Sequence, residues 1–172
     1  MLSPQNSQAP SGRFRQLIPL EYVEAYIFRA VDLCKDGEVE GAIATLGKAL
    51  SLDPESEPAL VLRAGLWMSQ RKPRKAIGDL SKALIVNCCN PDAYYLRAQA
   101  YQSLGCFRAA ITDYSRVLRL EAGNRDALVN RALLYWYLGQ LDRAIPDFNK
   151  LGVPAPRIVK ALANWSGMNF AQ

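Results

Sequence analysis

The sequence repeats itself every 34 residues over most of its length. One landmark is an alanine that recurs in four similar segments, at Ala42, Ala76, Ala110 and Ala144. A second landmark with the same spacing is an Arg-Ala pair that begins at Arg29, Arg63, Arg97 and Arg131. Because two independent landmarks keep one register over four units, the chain is expected to fold as stacked supersecondary units.

Apolar residues within each unit have helical spacing. In the third unit, Tyr94, Ala98 and Tyr101 share one face of a first helix, and Ala110 and Tyr114 share one face of a second. The same pattern predicts helix pairs near 23–36 and 40–52, 57–70 and 74–86, 91–104 and 108–120, and 125–138 and 142–151. Each unit is therefore expected to be a pair of antiparallel helices.

A glycine lies between the two predicted helices of three units, at Gly37, Gly105 and Gly139. Glycine adopts the left-handed backbone conformation that ends many helices without a steric penalty. In the second unit Arg71 holds this place.

These residues resemble the tetratricopeptide repeat family, whose pattern alternates bulky, small and aromatic positions over 34 residues. The third unit matches best, and the second is weaker, with Cys88 where the family usually has proline. The resemblance covers about 23–155. It implies an all-α fold, a right-handed α-α superhelix (solenoid) of four helix pairs, closed by a C-terminal capping helix.

The chain divides into three predicted segments. Residues 1–20 are rich in Ser, Gln and Pro and are expected to form a flexible leader. The four repeats occupy 21–155, at about 23–56, 57–90, 91–124 and 125–155. Residues 156–172 are expected to form a capping helix and tail, with Ile158, Leu162 and Trp165 at helical spacing.

Composition argues against catalysis and against a membrane span. The chain has no histidine, and its four cysteines form no C-x-x-C pair, so imidazole-dependent catalysis and mixed Cys/His zinc sites are excluded. No apolar stretch is long enough to cross a bilayer. We expect a cytoplasmic protein with reduced cysteines, no enzyme activity, no metal and no cofactor.

The resemblance implies that a partner lies along the first helices of the repeats, in a concave groove. The residues predicted to line this groove are Ile27, Val31, Val61, Met68, Tyr95, Gln99, Val129, Asn130, Leu133, Trp136 and Tyr137. Their apolar and aromatic character predicts a non-catalytic adaptor or scaffold that binds a partner helix or an apolar peptide. Two alternatives stay open: some of these residues belong to the core, or the leader or C-terminal helix fills the groove.

One subset of the family grips the C-terminal carboxylate of heat-shock chaperones with Lys, Arg and Asn side chains. In the frame of repeats one to three, the matching places hold Ile27, Val31, Leu62, Asp92 and Leu96. In the frame of repeats two to four, they hold Val61, Gly65, Leu96, Asp126 and Asn130. Because hardly any donor is present and the acids would repel a carboxylate, chaperone binding of this kind is not expected.

The densest basic run is Arg71-Lys72-Pro73-Arg74-Lys75, at the turn of the second repeat. It suggests an alternative function as an RNA- or acidic-ligand-binding module, which salt would weaken steeply. A self-associating structural subunit is a further alternative. Nucleic acid and small-molecule substrates are nevertheless not the expected partners, since runs of this kind at helix turns are usually solvated.

Aspartates also recur every 34 residues in the second helices, at Asp79, Asp113 and Asp147, with Thr45 in the first repeat. Pairing each aspartate with the Arg-Ala arginine of its own repeat leaves only Arg29 without a partner. We therefore expect structural Arg–Asp ion pairs within repeats two, three and four.

Overall fold

The computed structural model describes residues 20–152. This part of the chain forms eight α-helices: α1 (Leu20–Lys35), α2 (Val39–Leu52), α3 (Glu57–Ser69), α4 (Pro73–Val86), α5 (Pro91–Ser103), α6 (Phe107–Leu120), α7 (Arg125–Tyr137) and α8 (Leu141–Lys150). All eight predicted helices are confirmed to within a few residues. The predicted C-terminal capping helix lies outside the described residues, as does the predicted leader apart from Leu20, which begins α1.

The helices pack in consecutive pairs that stack along the chain. Each helix contacts the next one in sequence, and the first helices α3 and α5 also touch each other. The four register alanines of the second helices are all buried, each less than 2% exposed: Ala42, Ala76, Ala110 and Ala144. A small side chain at these places lets two helix backbones approach closely, which is why the repeat requires alanine there.

The turn inside each helix pair has one recurring geometry. Gly37, Gly105 and Gly139 have φ angles of +80°, +72° and +71°, and Arg71 at the equivalent place has a φ of +55°. In all four turns the next amide donates to the carbonyl five residues earlier, as in the 2.8 Å bond from Lys72 N to Trp67 O. The predicted left-handed position is confirmed in each repeat, including the one where arginine replaces glycine.

The core is a series of small clusters along the solenoid. One cluster joins the first two repeats through Leu46, Ala49 and Leu60. Another centres on Tyr114, a fully buried side chain of α6 that packs with Ala98 and Ala127. Each repeat is therefore stabilised mainly by its neighbours, as expected for a stacked array.

The predicted Arg–Asp pairs are confirmed in repeats two, three and four. Arg97 donates from Nε and Nη2 to the two carboxylate oxygens of Asp113, at 2.7 and 2.9 Å. Arg63 and Arg131 hold Asp79 and Asp147 in the same two-pronged geometry. The aspartates are buried and the arginines half-buried, so the second helix of each repeat is anchored to the first by a charge-assisted bond.

A serine of the preceding repeat completes two of these pairs. Arg97 Nη1 donates to Ser81 Oγ at 3.2 Å, and Arg131 Nη1 donates to Ser115 Oγ at 2.9 Å. The same register position in the first repeat is Gly47, which offers Arg63 no hydroxyl. The arginine therefore joins three helices in repeats three and four, whereas in repeat two it joins only two.

Candidate functional site

The first helices of repeats two, three and four face one open cavity. This cavity has a volume of about 470 Å³, and its lining comes from α3, α5 and α7: Met68, Gln99, Gln102, Ser103 and Asn130. The cavity brings together three of the predicted groove residues, Met68, Gln99 and Asn130. Gln102 and Ser103 lie beside them because they follow Gln99 by about one helical turn on the same face of α5.

Side-chain hydrogen bonds fix the amide-rich centre of the groove. Asn130 Nδ2 donates to Tyr95 Oη at 3.2 Å and to the backbone carbonyl of Asp126 at 2.9 Å. Tyr114 Oη donates to Gln102 Oε1 at 3.1 Å. The Tyr95 and Tyr114 rings meet edge to face with centroids 5.6 Å apart. These contacts hold the amides in place before any partner binds.

The central part of the groove carries negative rather than positive charge at its rim. Burial raises the pKa of Tyr95, and the neighbouring Asp126 carboxylate raises it further. Asp126 and Asp92 are both exposed. A partner segment lying here therefore meets neutral amide groups flanked by carboxylates.

The N-terminal end of the groove is apolar. Val61 is half-buried and packs against the clusters of the first and second repeats, and Ile27 packs against the first. Leu62 and Phe28 are exposed, Phe28 to 69%. Phe28 was not among the predicted groove residues, although its register position matches that of Leu62 and could have indicated it.

The C-terminal end is apolar and aromatic. Leu133 and Trp136 are half-buried and pack against the last cluster, and Val129 is 38% exposed. Tyr137 is 54% exposed, and its ring meets that of Phe107, the first residue of α6, edge to face with centroids 4.9 Å apart. Tyr137 therefore lies beside the turn of the third repeat, away from the central cavity.

Most of the predicted groove residues contribute to the core as well as to the groove. Nine of the eleven are half-buried, and only Val129 and Tyr137 are exposed. This division agrees with the alternative that some of them belong to the core.

The basic run at the turn of the second repeat is partly engaged by an aromatic ring. Lys75 Nζ lies 4.5 Å and Lys72 Nζ 5.3 Å from the centroid of the Trp67 ring. Cation–π contacts of this kind hold the two ammonium groups against α3. Arg71 and Arg74 are exposed.

Other chemistry in the described part of the chain is sparse. No group of three metal-ligating side chains occurs among residues 20–152. The four cysteines of this part are free and exposed, and Cys88 and Cys89 lie in the loop between α4 and α5, as expected, with their sulfurs 3.8 Å apart. None of the helices described has the length and apolar character needed to cross a membrane.

Known proteins share this architecture. Two family models described as tetratricopeptide repeat match residues 91–124 and 126–151. No curated protein matches the chain by sequence. Among solved structures, MamA superposes with a TM-score of 0.74 at 26% identity, over 77% of this chain and 73% of MamA.

Two further structures are similar to this chain. A tetratricopeptide repeat protein from Parabacteroides merdae matches with a TM-score of 0.71 at 26% identity, over 76% of this chain and 52% of that one. The first tetratricopeptide domain of Spaghetti (RPAP3), solved bound to the HSP90 peptide SRMEEVD, matches with a TM-score of 0.67 at 25% identity. That match covers 69% of this chain and 94% of the domain.

Four stacked helix pairs define an all-α helical-repeat solenoid, a class of protein–protein interaction modules. The 34-residue register, the two matching family models and the solved neighbours specify the family. The chain is a tetratricopeptide repeat protein. Members of this family are typically non-catalytic.

Proposed function

We propose that the chain is an adaptor or assembly scaffold of the cytoplasm that binds a partner helix or an apolar peptide segment in its concave groove. The observation that carries this proposal is the amide-lined cavity between α3, α5 and α7. Gln99, Gln102 and Asn130 offer both donors and acceptors, which suit the main chain of an extended segment. Four exposed, unpaired thiols support a reducing compartment.

The two ends of the groove supply the apolar contacts. Leu62 and Phe28 offer exposed surface at one end, and Val129 does so at the other. Burial of a partner's apolar side chains on these residues stabilises the complex by about 25 cal/mol per Å² before ordering costs are deducted. The exposed acids Asp92 and Asp126 favour a partner without carboxylates at its centre.

The same residues argue against a carboxylate clamp. The clamp positions of the first frame hold the apolar side chains Ile27, Val31, Leu62 and Leu96 together with Asp92. We therefore propose that the HSP90 peptide SRMEEVD, which is bound by the RPAP3 domain, does not bind this chain. Calorimetry with the free-acid and C-terminally amidated peptides tests this, and micromolar affinity that is lost on amidation would contradict it.

The binding groove is tested by a paired capture from lysate, read by mass spectrometry. One bait is the wild type, and the second carries Gln99→Arg and Val129→Glu, which place charges in the groove at positions outside the buried clusters. The third, a matched control, carries Ala44→Arg and Ile85→Glu on exposed positions of the second helices. Circular dichroism first checks that all three baits keep their helicity.

Partners that are retained by the control and lost from the groove variant would support the proposal. Identical partner lists for the three baits would overturn it. The alternative of an RNA- or acid-binding turn predicts binding that depends on Arg71–Lys75 and weakens steeply with salt. Two lysines of that turn already contact Trp67, so the groove is the stronger candidate. Self-association would appear as a mass that rises with protein concentration.

A further inference from the structure

A second cleft lies between the second helices of repeats three and four. It has a volume of about 500 Å³ and is lined by α6, by α8 and by residues at the end of α7 and the turn after it. None of its lining residues lines the groove cavity. Three arginines from two helices meet in it: Arg108 and Arg119 of α6, and Arg143 of α8.

The positive charge of this cleft is not neutralised by the described part of the chain. No Asp or Glu lines the cleft, and none of its three arginines forms an ion pair with a carboxylate of residues 20–152. The buried aspartates of the same two helices, Asp113 and Asp147, are each held by the arginine of their own repeat. The cleft therefore presents three guanidinium groups without a counter-charge.

The arginines surround apolar and aromatic side chains. Ile111, Tyr135 and Leu138 line the cleft together with them. The Arg143 guanidinium lies 5.9 Å from the centroid of the Tyr135 ring, on which Arg131 also lies at 6.0 Å. Guanidinium groups that stack on a ring lose less freedom when they bind an anion. A ligand here meets three arginines beside apolar side chains and beside the polar side chains of Thr112, Ser115 and Gln140.

The two terminal segments outside the described residues supply no carboxylate side chain to this cleft. Residues 1–19 and 153–172 contain no Asp and no Glu, and they carry Arg13, Arg15, Arg157 and Lys160. Their side chains would add positive charge rather than neutralise it. A segment of this chain is therefore a poor occupant on grounds of charge.

We propose that the Arg108–Arg119–Arg143 cleft binds an acidic segment of a protein partner, with Asp or Glu side chains on either side of an apolar residue. Carboxylates accept two-pronged hydrogen bonds from arginine, and the apolar residue contacts Tyr135 and Leu138. A nucleic-acid backbone fits less well, because it offers no apolar side chain to Ile111, Tyr135 and Leu138, which line the cleft beside the arginines. The chain thus has two separate interaction surfaces.

The test is a selection from a random peptide display library on the full chain. Peptides are counterselected on a variant with Arg108→Gln, Arg119→Gln and Arg143→Gln. A matched control replaces the exposed residues Arg74, Lys82 and Arg125 with Gln, so both variants lose the same net charge. Enriched peptides are synthesised with amidated C-termini, and their affinities are measured by fluorescence anisotropy at several salt concentrations, with an oligothymidylate as the nucleic-acid probe.

The expected peptides are rich in Asp and Glu around an apolar residue. They should bind the wild type and the control equally, bind the cleft variant at least about tenfold more weakly, and lose affinity as salt is added. Three outcomes would overturn the proposal: no peptide that distinguishes the wild type from the cleft variant, selected peptides without acidic residues, or equal loss in both variants. Tighter binding of the oligothymidylate through the same arginines would assign the cleft to nucleic acid instead. Groove variants should leave this binding unchanged, so failure here leaves the proposed groove function standing.

Discussion

Single residues decide how firmly the repeats are joined, and Gly47 is the clearest case. A Cβ atom added to Gly47 would lie 4.0 Å from Arg63 Nη1, at the register position of Ser81 and Ser115. Replacing it by serine should therefore give Arg63 the hydroxyl that Arg97 already has. We expect Gly47→Ser to raise the free energy of unfolding by about 1 kcal/mol, from one hydrogen bond and a better helix propensity. Urea unfolding followed by circular dichroism measures this.

Gly78→Ser is the matched control for the serine substitution. Gly78 is an exposed residue in α4, and a Cβ atom there would meet nothing within 4 Å. It should gain only the helix-propensity part, about 0.4 kcal/mol. Equal gains for the two variants would show that the serine of the preceding repeat contributes no bond to its arginine.

Arg71 has a left-handed backbone conformation, which is strained for a residue other than glycine. Among the described residues it is the one non-glycine residue with a positive φ. Its side chain is exposed and makes no hydrogen bond or ion pair within residues 20–152. Arg71→Gly should therefore relieve backbone strain without removing a contact. We expect a gain of about 0.5–1 kcal/mol in unfolding free energy. The reverse change, Gly105→Arg, should lose a similar amount, and a gain there would contradict the argument.

Tyr114 should make the free energy of unfolding fall at alkaline pH. Burial raises the pKa of the Tyr114 hydroxyl well above its ordinary value, and the nearby Tyr95 raises it further. Because the unfolded state ionises first, the contribution of Tyr114 is fully present below about pH 10 and falls as the pH rises beyond it, by up to about 1.4 kcal/mol per pH unit. Tyr114→Phe should remove this slope and should cost about 1 kcal/mol at neutral pH, because it loses the bond to Gln102.

The measurement for Tyr114 is urea unfolding at a series of pH values from neutral to alkaline. Tyr22→Phe serves as the control, since Tyr22 is exposed and its removal should leave the slope unchanged. A part of the slope that survives in Tyr114→Phe is expected from Tyr95, whose pKa burial also raises. An unchanged slope in Tyr114→Phe would refute the assignment to this residue.

At the scale of the helices, α8 departs from the other second helices. It has 10 residues where α2, α4 and α6 have 14 each, and Pro146 lies inside it. Proline removes one backbone hydrogen bond and crowds the carbonyl four residues earlier, that of Asp142. Pro146 is exposed, so alanine at this place would leave no cavity. The proline weakens the described part of the fourth repeat without serving its core.

Pro146→Ala should therefore stabilise α8. The expected gain is about 1–3 kcal/mol, below the full cost of an interior proline because terminal turns of short helices fray. Urea unfolding measures the global effect, and hydrogen exchange of the α8 amides measures the local one. Slower exchange confined to α8 is the expected pattern. Unchanged exchange would mean that α8 is held by its contacts with α7 alone.

The helices and their turns could be predicted because the signals for them are local. The 34-residue register places every helix pair, and the position of Arg71 follows from the glycines of the other turns. The Arg–Asp pairs could also be predicted, since each joins two helices of one repeat. Ser81 and Ser115 were missed because their arginines belong to the following repeat. Their equal spacing in sequence was the available signal.

The helix face on which each candidate groove residue lies could be predicted from the sequence, but the exposed fraction of its side chain could not. A register position fixes the face of a helix on which a residue lies, but the exposed fraction depends on how tightly neighbouring repeats stack. Val61 and Leu133 are half-buried for this reason, whereas Phe28 is largely exposed. The cleft of Arg108, Arg119 and Arg143 was missed because its residues come from two repeats at unrelated register positions.

At the scale of the whole molecule, stability should be uneven along the solenoid. The arginine–serine bond joins repeat two to three and repeat three to four, but Gly47 removes it between repeats one and two. The first repeat also has Thr45 where the others have aspartate, and the Thr45 hydroxyl donates to the carbonyl of Gly41 within its own helix. Repeat one therefore lacks both the Arg–Asp pair between its two helices and the arginine–serine bond to repeat two. The side-chain hydrogen bond that joins it to repeat two is an exposed one, from Gln70 Nε2 to Glu40 Oε1 at 2.7 Å.

Because a stacked array behaves as a row of units coupled to their neighbours, its weakest junction should open first. We expect amide hydrogen exchange, read by mass spectrometry, to be faster in α1 and α2 than in α5 and α6. A terminal repeat also frays for want of a neighbour, so rates in the wild type alone do not identify the cause. Gly47→Ser supplies the missing hydrogen bond to Arg63, and repeat one still has no described repeat before it. The substitution should slow amide exchange in α1 and α2 and leave the exchange rates of α5 and α6 unchanged. If the rates in α1 and α2 stay the same as in the wild type, the faster exchange of these helices is due to fraying at the end of the array.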